Sequence, residues 1–359
     1  MAFIYKLKLF GLAATLAAFA CASPTSAEAA TRKKAHATPS HIAAKSARTA
    51  RTGRVLAHAK TRTVVVVRNG RRIKQVVALV RVEPARPSFG QLYGLHNTAD
   101  SLELKSSVAL VLDSDTNEVL FSKNPQAVLP IASLTKLMTA VVVAEARQPL
   151  NESITVSDED VDTEKNSRSR LKVGTTLSRE EMLHLALMAS ENRAAHALGR
   201  SYPGGLEAFV AAMNNKARAL GMNDTHYVEP TGLSSLNQSS ARDLAALVQA
   251  AQEHPMIREF STSPEYEVEV GNRPTQFRTT NSLVRSPAWD IVLQKTGYIT
   301  EAGRCLVMQA NMAGRRLTMV FLDSTGKYSR IGDAERVRRW ISELPAHTPV
   351  AADLVKVAS

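Results

Sequence analysis

Cysteine is almost missing from this 359-residue chain, which has two, Cys21 and Cys305. That count excludes a disulfide scaffold, a CxxC zinc site and a cysteine-ligated iron–sulfur cluster. Aromatic residues make up only 5%. No apolar run reaches the about 20 residues that a membrane-spanning helix needs. No H-E-x-x-H, G-x-S-x-G, G-x-G-x-x-G or Walker pattern occurs, so zinc-peptidase, α/β-hydrolase and nucleotide chemistry lack support. Acids are scarce in one region: residues 31–90 hold fifteen Lys and Arg and a single acid, Glu83. What is present is 44% hydrophobic and 22% charged, enough for a substantial core and incompatible with a wholly disordered chain.

The formal net charge of +12 is uneven. Residues 31–90 carry +14, residues 1–30 carry +1, and residues 91–359 come to −3. Residues 1–30 read as a secretory signal: Lys6 and Lys8 precede a short apolar stretch over 9–20, and small-residue cleavage signatures follow at Ala20-Cys21-Ala22 and Ala27-Glu28-Ala29. Ala18-Phe19-Ala20-Cys21 is weakly similar to a lipoprotein box. Export to the periplasm as a mostly soluble protein is expected, with at most a loose hold on the membrane. Residues 31–91 read as a basic, low-complexity tether. It suits adhesion to envelope polyanions as well as a plain spacer. No nucleic-acid partner is expected, because the segment has almost no aromatic side chain to stack on bases. Within it, 63–67 and 73–82 flank Asn69-Gly70, a hairpin signal.

A globular pattern begins near residue 92 and runs to about 345, leaving 346–359 as a tail. Residues 107–113 and 118–123 flank a turn and predict two strands. Helices are expected at 133–147, at 178–190 from the capping box Ser178-Arg179-Glu180-Glu181, at 206–220, and at 240–252 with Pro255 as its stop. Strands return at 290–298, 304–312 and 316–323, followed by a helix at 333–344. Strands at both ends with helices between them predict an α+β domain whose antiparallel sheet is completed by the chain ends.

The chemistry centres on Ser133-Leu134-Thr135-Lys136 at a helix start. Positions three apart share a helix face, so the Lys136 amine can reach the Ser133 hydroxyl. A helix N-terminus favours an oxyanion. A serine hydroxyl attacks only when a base takes its proton, and lysine is a base only when burial or a neighbouring cation keeps it neutral. Alone the pattern is weak, and Ser324-Thr325-Gly326-Lys327 is a second match in a turn. Two further motifs change the balance. Ser190-Glu191-Asn192 follows at a helix end, and Lys295-Thr296-Gly297 on a strand. S-x-x-K with S-D-N and K-T-G, in that order, marks class A β-lactamases and penicillin-binding proteins. Ser235-Leu236-Asn237 is a decoy that shows how common S-x-N is singly.

Residues 92–345 resemble the low-molecular-mass penicillin-binding proteins of the D-alanyl-D-alanine carboxypeptidase/endopeptidase family, closest to its endopeptidase group. The resemblance rests on residues 129–140, on Ser190-Glu191-Asn192-Arg193-Ala194-Ala195, on Pro230-Thr231-Gly232-Leu233 and on Gln294-Lys295-Thr296-Gly297-Tyr298. It implies the serine β-lactamase/DD-peptidase-like fold, with an antiparallel sheet flanked by helices and a helical subdomain. By the same resemblance Ser133 is the nucleophile, Lys136 its base, and Ser190 a bridge toward the lysines that relays a proton to the leaving amine. Asn192 orients the substrate backbone, and Lys295 and Thr296 receive the substrate carboxylate. Gly297 lets substrate lie against the strand, and the N–H groups of Ser133 and Tyr298 form the oxyanion hole. Glu191 departs from the commoner Gly or Asp.

The implied substrates are peptidoglycan stem peptides, with β-lactams as covalent inhibitors and no cofactor or metal. The E-x-x-L-N that deacylates class A β-lactamases is missing, since the chain reads Glu229-Pro230-Thr231-Gly232-Leu233. An endopeptidase acting on cross-links is expected, with a carboxypeptidase or a non-catalytic peptidoglycan-binding scaffold as the alternatives. Only 62 residues follow Gly297, too few for the C-terminal β domain and amphipathic anchor of many carboxypeptidases. His184, His196 and Cys305 read as packing residues.

Overall fold

The computed structural model describes residues 61–68, 71–78 and 86–344. The leader, most of the basic segment and the tail lie outside the described residues. Two compact units divide between Arg81 and Val82. In the first, β1 (Thr61–Arg68) pairs antiparallel with β2 (Arg71–Ala78), with Arg68 opposite Arg71.

The second unit is built on a five-stranded antiparallel sheet in the order β11-β12-β13-β3-β4. Its strands are β3 (Ser106–Asp113), β4 (Val119–Lys123), β11 (Asp290–Ile299), β12 (Gly303–Met312) and β13 (Arg315–Ser324). Every residue of β3 is buried, as its unbroken apolar run requires of a strand covered on both faces. The strand period of two divides its side chains. Val108, Leu110 and Leu112 join the helical core, while Ala109 and Val111 pack in the opposite layer with Val337 and Ile341 of α8 (Ser329–Glu343). The first strand of the sheet therefore pairs with the last, Val320 opposite Leu110. Asp333 of α8 locks that junction, accepting the Lys105 and Ser106 N–H groups at 3.0 and 2.9 Å and the Ser106 hydroxyl at 2.6 Å.

The helical layer surrounds α2 (Thr135–Glu145), buried from Thr135 through Val143. A helix apolar on all sides belongs inside. Around it pack α3 (Arg179–Met188), α4 (Asn192–Arg200), α5 (Gly205–Ala219) and α6 (Ala241–Gln252). Both halves of the Ser178/Glu181 capping box form, and Ser240 caps α6. A short α1 (Phe89–Leu92), capped by Ser88, contacts β3 and β13. Three small antiparallel pairs complete the unit: β5 (Leu129–Pro130) with β8 (Gln238–Ser239), β6 (Ser153–Thr155) with β7 (Thr176–Ser178), and β9 (Glu265–Glu269) with β10 (Pro274–Arg278). Among the described residues no helix is long and apolar enough to cross a membrane.

Three expectations are corrected. Pro255 does not merely stop α6. It is the first residue of α7 (Pro255–Thr262), where its missing N–H costs nothing. The last helix starts at Ser329 rather than near Asp333, which lies inside it and accepts from the start of β3. The helix expected over 133–147 opens as a 3-10 turn, Ala132–Leu134, and ends at Glu145.

Candidate active site

That 3-10 turn presents Ser133. Ala132 has φ +49, so the chain leaves β5 sharply and Ser133 stands partly exposed at the cleft while Ala132 and Leu134 are buried. One turn on, Lys136 is wholly buried. Its Nζ donates to Ser133 Oγ at 3.0 Å, to Asn192 Oδ1 at 2.7 Å and to the Thr231 carbonyl at 2.6 Å. Burial pushes the amine down to about 7, against the opposing pull of Glu229 and Glu191. A lysine so poised is neutral often enough near pH 7 to take the Ser133 proton. Asn192 opens α4, and its Nδ2 donates to Ser167 Oγ at 2.9 Å.

The second lysine comes from β11, the sheet edge facing the helices. Lys295 is wholly buried, and its Nζ donates to Ser190 Oγ at 2.9 Å and to its neighbour's carbonyl, Thr296 O, at 2.9 Å. Burial, then the charges of Lys136 and Arg330, hold its pKa well below the usual lysine value. Ser190 sits at φ +60 between α3 and α4. Of the two lysines it touches Lys295 alone, whereas Asn192 takes Lys136. Thr296 Oγ1 pairs with Thr280 Oγ1 at 2.5 Å, two hydroxyls at the cleft mouth.

Gly297 packs closely against the Ser133 turn. A Cβ there would stand 3.0 Å from Ile131 O, 3.1 Å from Ala132 Cβ and 3.2 Å from the Ser133 nitrogen. The bare Cα thus faces the nucleophile turn, and its absent side chain lets β11 close on Ser133. Tyr298 follows, 53% exposed, with the Arg304 guanidinium 4.3 Å over its ring.

The floor of the site is the loop over 228–237. Glu229 spends both carboxylate oxygens on it, accepting from the Thr231 N–H and hydroxyl at 2.6 and 2.5 Å, the Gly232 N–H at 2.6 Å and Asn237 Nδ2 at 2.8 Å. Gly232 is obligatory, since at φ +81 a Cβ would fall 1.9 Å from Ala132 O. Asn237, the decoy, is buried and also bonds Thr135 Oγ1 of the catalytic helix at 3.1 Å. Glu191 accepts the Ser169 hydroxyl at 2.6 Å, tying the loop that carries Ser167 to the cleft. Burial raises its pKa, with Ser169, Arg170 and Lys136 opposing.

The remaining candidates stand apart. His184 stacks on Phe260 and Tyr266 at 4.4 and 3.9 Å, and burial lowers it to about 4. His196 bonds Asp160 at 2.7 Å. Cys305 is buried, and its thiol is pushed up to about 12 by burial. Ser324 and Lys327 of the second S-x-x-K end β13 and follow it, away from these partners. Four groups escaped sequence reasoning: the Thr231 carbonyl, Ser167, Thr280 and Arg330. Only Arg330 carried a signal, as an arginine among apolar core positions of a helix.

The family model for D-alanyl-D-alanine carboxypeptidase matches residues 95–326, a span holding all three motifs. The chain belongs to this family. Its relatives include the D-alanyl-D-alanine endopeptidase of Pseudomonas aeruginosa, 49% identical over 241 residues covering 67% of this chain and 78% of the relative. That of Escherichia coli is 44% identical over 268 residues, 74% of this chain and 86% of the relative. The fold is similar to that of a Streptomyces DD-transpeptidase, with a TM-score of 0.64 and 25% identity over 69% of this chain and 100% of the other. A Mycobacterium tuberculosis D-alanyl-D-alanine carboxypeptidase gives 0.61 and 25%, over 67% and 92%. The protein is a serine DD-peptidase with an α+β penicillin-binding-protein fold. In this DD-peptidase Arg330 is buried on α8, and its Nε and Nη1 lack a partner among the described residues. Burial holds its pKa below the usual arginine value.

Proposed function

We propose that this DD-peptidase is an endopeptidase that opens peptidoglycan cross-links through an acyl-enzyme on Ser133. The observation that carries the reading is the buried Lys136 amine 3.0 Å from Ser133 Oγ, held to about 7 by desolvation. Lys136 takes the Ser133 proton as Oγ attacks the carbonyl of the penultimate D-Ala. The Ser133 and Tyr298 N–H groups receive the oxyanion; losing one such donor typically costs about 3–4 kcal/mol. The C–N bond then breaks, and a proton passing through Ser190, bonded to Lys295, leaves with the amine. Asn192 orients the peptide. Lys295, Thr296 and Thr280 supply donors for the carboxylate beside the scissile amide, and the charge of buried Arg330 near Lys295 adds to the attraction. That carboxylate is present in a terminal D-Ala and equally in the D-centre of a cross-linked diamino acid.

The relatives' activity favours cross-links over terminal D-Ala. A β-lactam also presents a carboxylate beside a strained amide, so it acylates Ser133. Hydrolysis of that adduct is expected to be slow, because the E-x-x-L-N that deacylates class A β-lactamases is missing. Export to the periplasm, where this substrate lies, and adhesion of the basic segment to anionic wall polymers belong to the same reading. They are supported by Lys6, Lys8 and the apolar stretch after them, and by the +14 of residues 31–90.

Labelled penicillin is expected to modify the folded mature protein and not its Ser133→Ala variant. Lack of labelling in the parent would sink the acyl-enzyme. Purified muropeptides then separate the reactions. Dimers converted to monomers identify the endopeptidase, and release of D-Ala from pentapeptides with dimers intact identifies a carboxypeptidase.

A further inference from the structure

Tyr298 also lines a cavity of about 620 Å³ to whose other walls neither the three motifs nor the mechanism assigns a task. That size suits a peptide-sized ligand. Its wall is formed by the β11–β12 turn, the end of β13 with the second S-x-x-K, and the segment leading into α1. Arg86, Arg304 and Lys327 bring three cations to it. Two carboxylates lie near, and both are committed. Asp323 is buried, accepting the Ser107 hydroxyl at 2.7 Å. Glu301, whose carboxyl Arg86 helps to lower, is paired with Lys165 at 2.7 Å. None of the three cations forms an ion pair among the described residues, so the groove presents net positive charge. The body that carries it is net negative.

The position gives the charge a meaning, which rests on the cross-link reading above. Thr296 and Tyr298 share one face of β11 and lie about 7 Å apart along the strand. A leaving amine whose carboxylate sits at Thr296 is therefore one side-chain length from the groove. A terminal D-Ala ends there in a methyl group. The D-centre of a cross-link continues through its diamino-acid side chain into a second stem peptide, which bears further free carboxylates. We infer that the groove of Arg86, Arg304 and Lys327 is a subsite for the second, leaving stem peptide of a cross-link, gripping its carboxylates. Arginine forks and a lysine point charge are suited to such groups.

The test uses the exposed residues Arg86 and Lys327 and spares Arg304, which touches Tyr298. In the Ser133→Ala protein, equilibrium binding is measured for a cross-linked dimer and for a monomeric pentapeptide. Arg86→Glu with Lys327→Glu is expected to weaken the dimer about tenfold and the monomer less than twofold, and Lys327→Arg alone to bind dimer normally. Penicillin acylation of Ser133 in the doubly substituted active protein should change less than twofold. Equal weakening of dimer and monomer would reveal general attraction to an anionic wall and overturn the subsite, as would an unchanged dimer. Turnover of dimers by the parent enzyme is scored separately. Intact dimers there would remove the cross-link reading, while the binding ratio still decides whether the groove holds a second stem.

Discussion

In the proposed mechanism Lys136 is an ammonium and a base in turn, and its surroundings set the balance. Three acceptors at 2.6–3.0 Å suit the charged form, while complete burial penalises it and brings the pKa to about 7. The neutral amine is the base, so activity must rise as the proton leaves. Penicillin acylation is expected to climb from pH 6 to 8 and level off above. Lys136→Arg, which cannot lose its proton near neutrality, should fall by about 10²-fold or more and lose that step. A stopped-flow pH profile checks this, and a flat profile in the parent would remove Lys136 as base. The S-x-x-K spacing made the Ser133–Lys136 contact legible, but not the proton's affinity. Desolvation sums over atoms from α2, α4 and the 228–237 loop, and no local pattern encodes that sum.

Helix starts were the most readable elements, because a capping box is a local bargain between a side chain and its own backbone. Ser178/Glu181 and Ser240 hold as the sequence suggests. Pro255 opens a further helix that the sequence reading did not announce, and Asp333 serves the junction with β3 rather than the start of its own helix. The 228–237 loop shows the same effect more sharply. Asn237 looked like a chance S-x-N. Yet its amide bonds the Val228 N–H at 2.7 Å, the Glu229 carbonyl and carboxylate at 2.8 Å each, and Thr135 Oγ1 at 3.1 Å. Asn237→Ala strands these buried groups and should cost roughly 2–4 kcal/mol in urea unfolding. It should also slow acylation, since this loop presents the Thr231 carbonyl to Lys136. Asn237→Asp, which turns the donor side of the amide into a carboxylate oxygen against Glu229, should cost at least as much as alanine. Native stability in the alanine variant would refute the role.

At the scale of the molecule, the sheet is closed by strands from opposite ends of the catalytic unit, and the division between Arg81 and Val82 leaves that closure intact. A chain shortened to 82–359 is therefore expected to fold with unchanged far-UV circular dichroism and to take up labelled penicillin at the parent rate. Loss of labelling in a folded product would show that the preceding unit contributes to the site. The sequence by itself pointed to the five strands of the main sheet, the joining of that sheet by the chain ends and most of the long helices, and it singled out Ser133, Lys136, Ser190, Asn192, Lys295 and Thr296 as site candidates. Each is written in periodicity or in a short motif. The tertiary structure alone decided that Gly297 faces the Ser133 turn, that a backbone carbonyl at Thr231 holds Lys136, and that the charge of buried Arg330 acts on Lys295. It also decided that Arg86, Arg304 and Lys327, from three separate segments, line one cavity with Tyr298. A carbonyl has no side chain to read, and proximity between distant segments is a property of packing rather than of spacing.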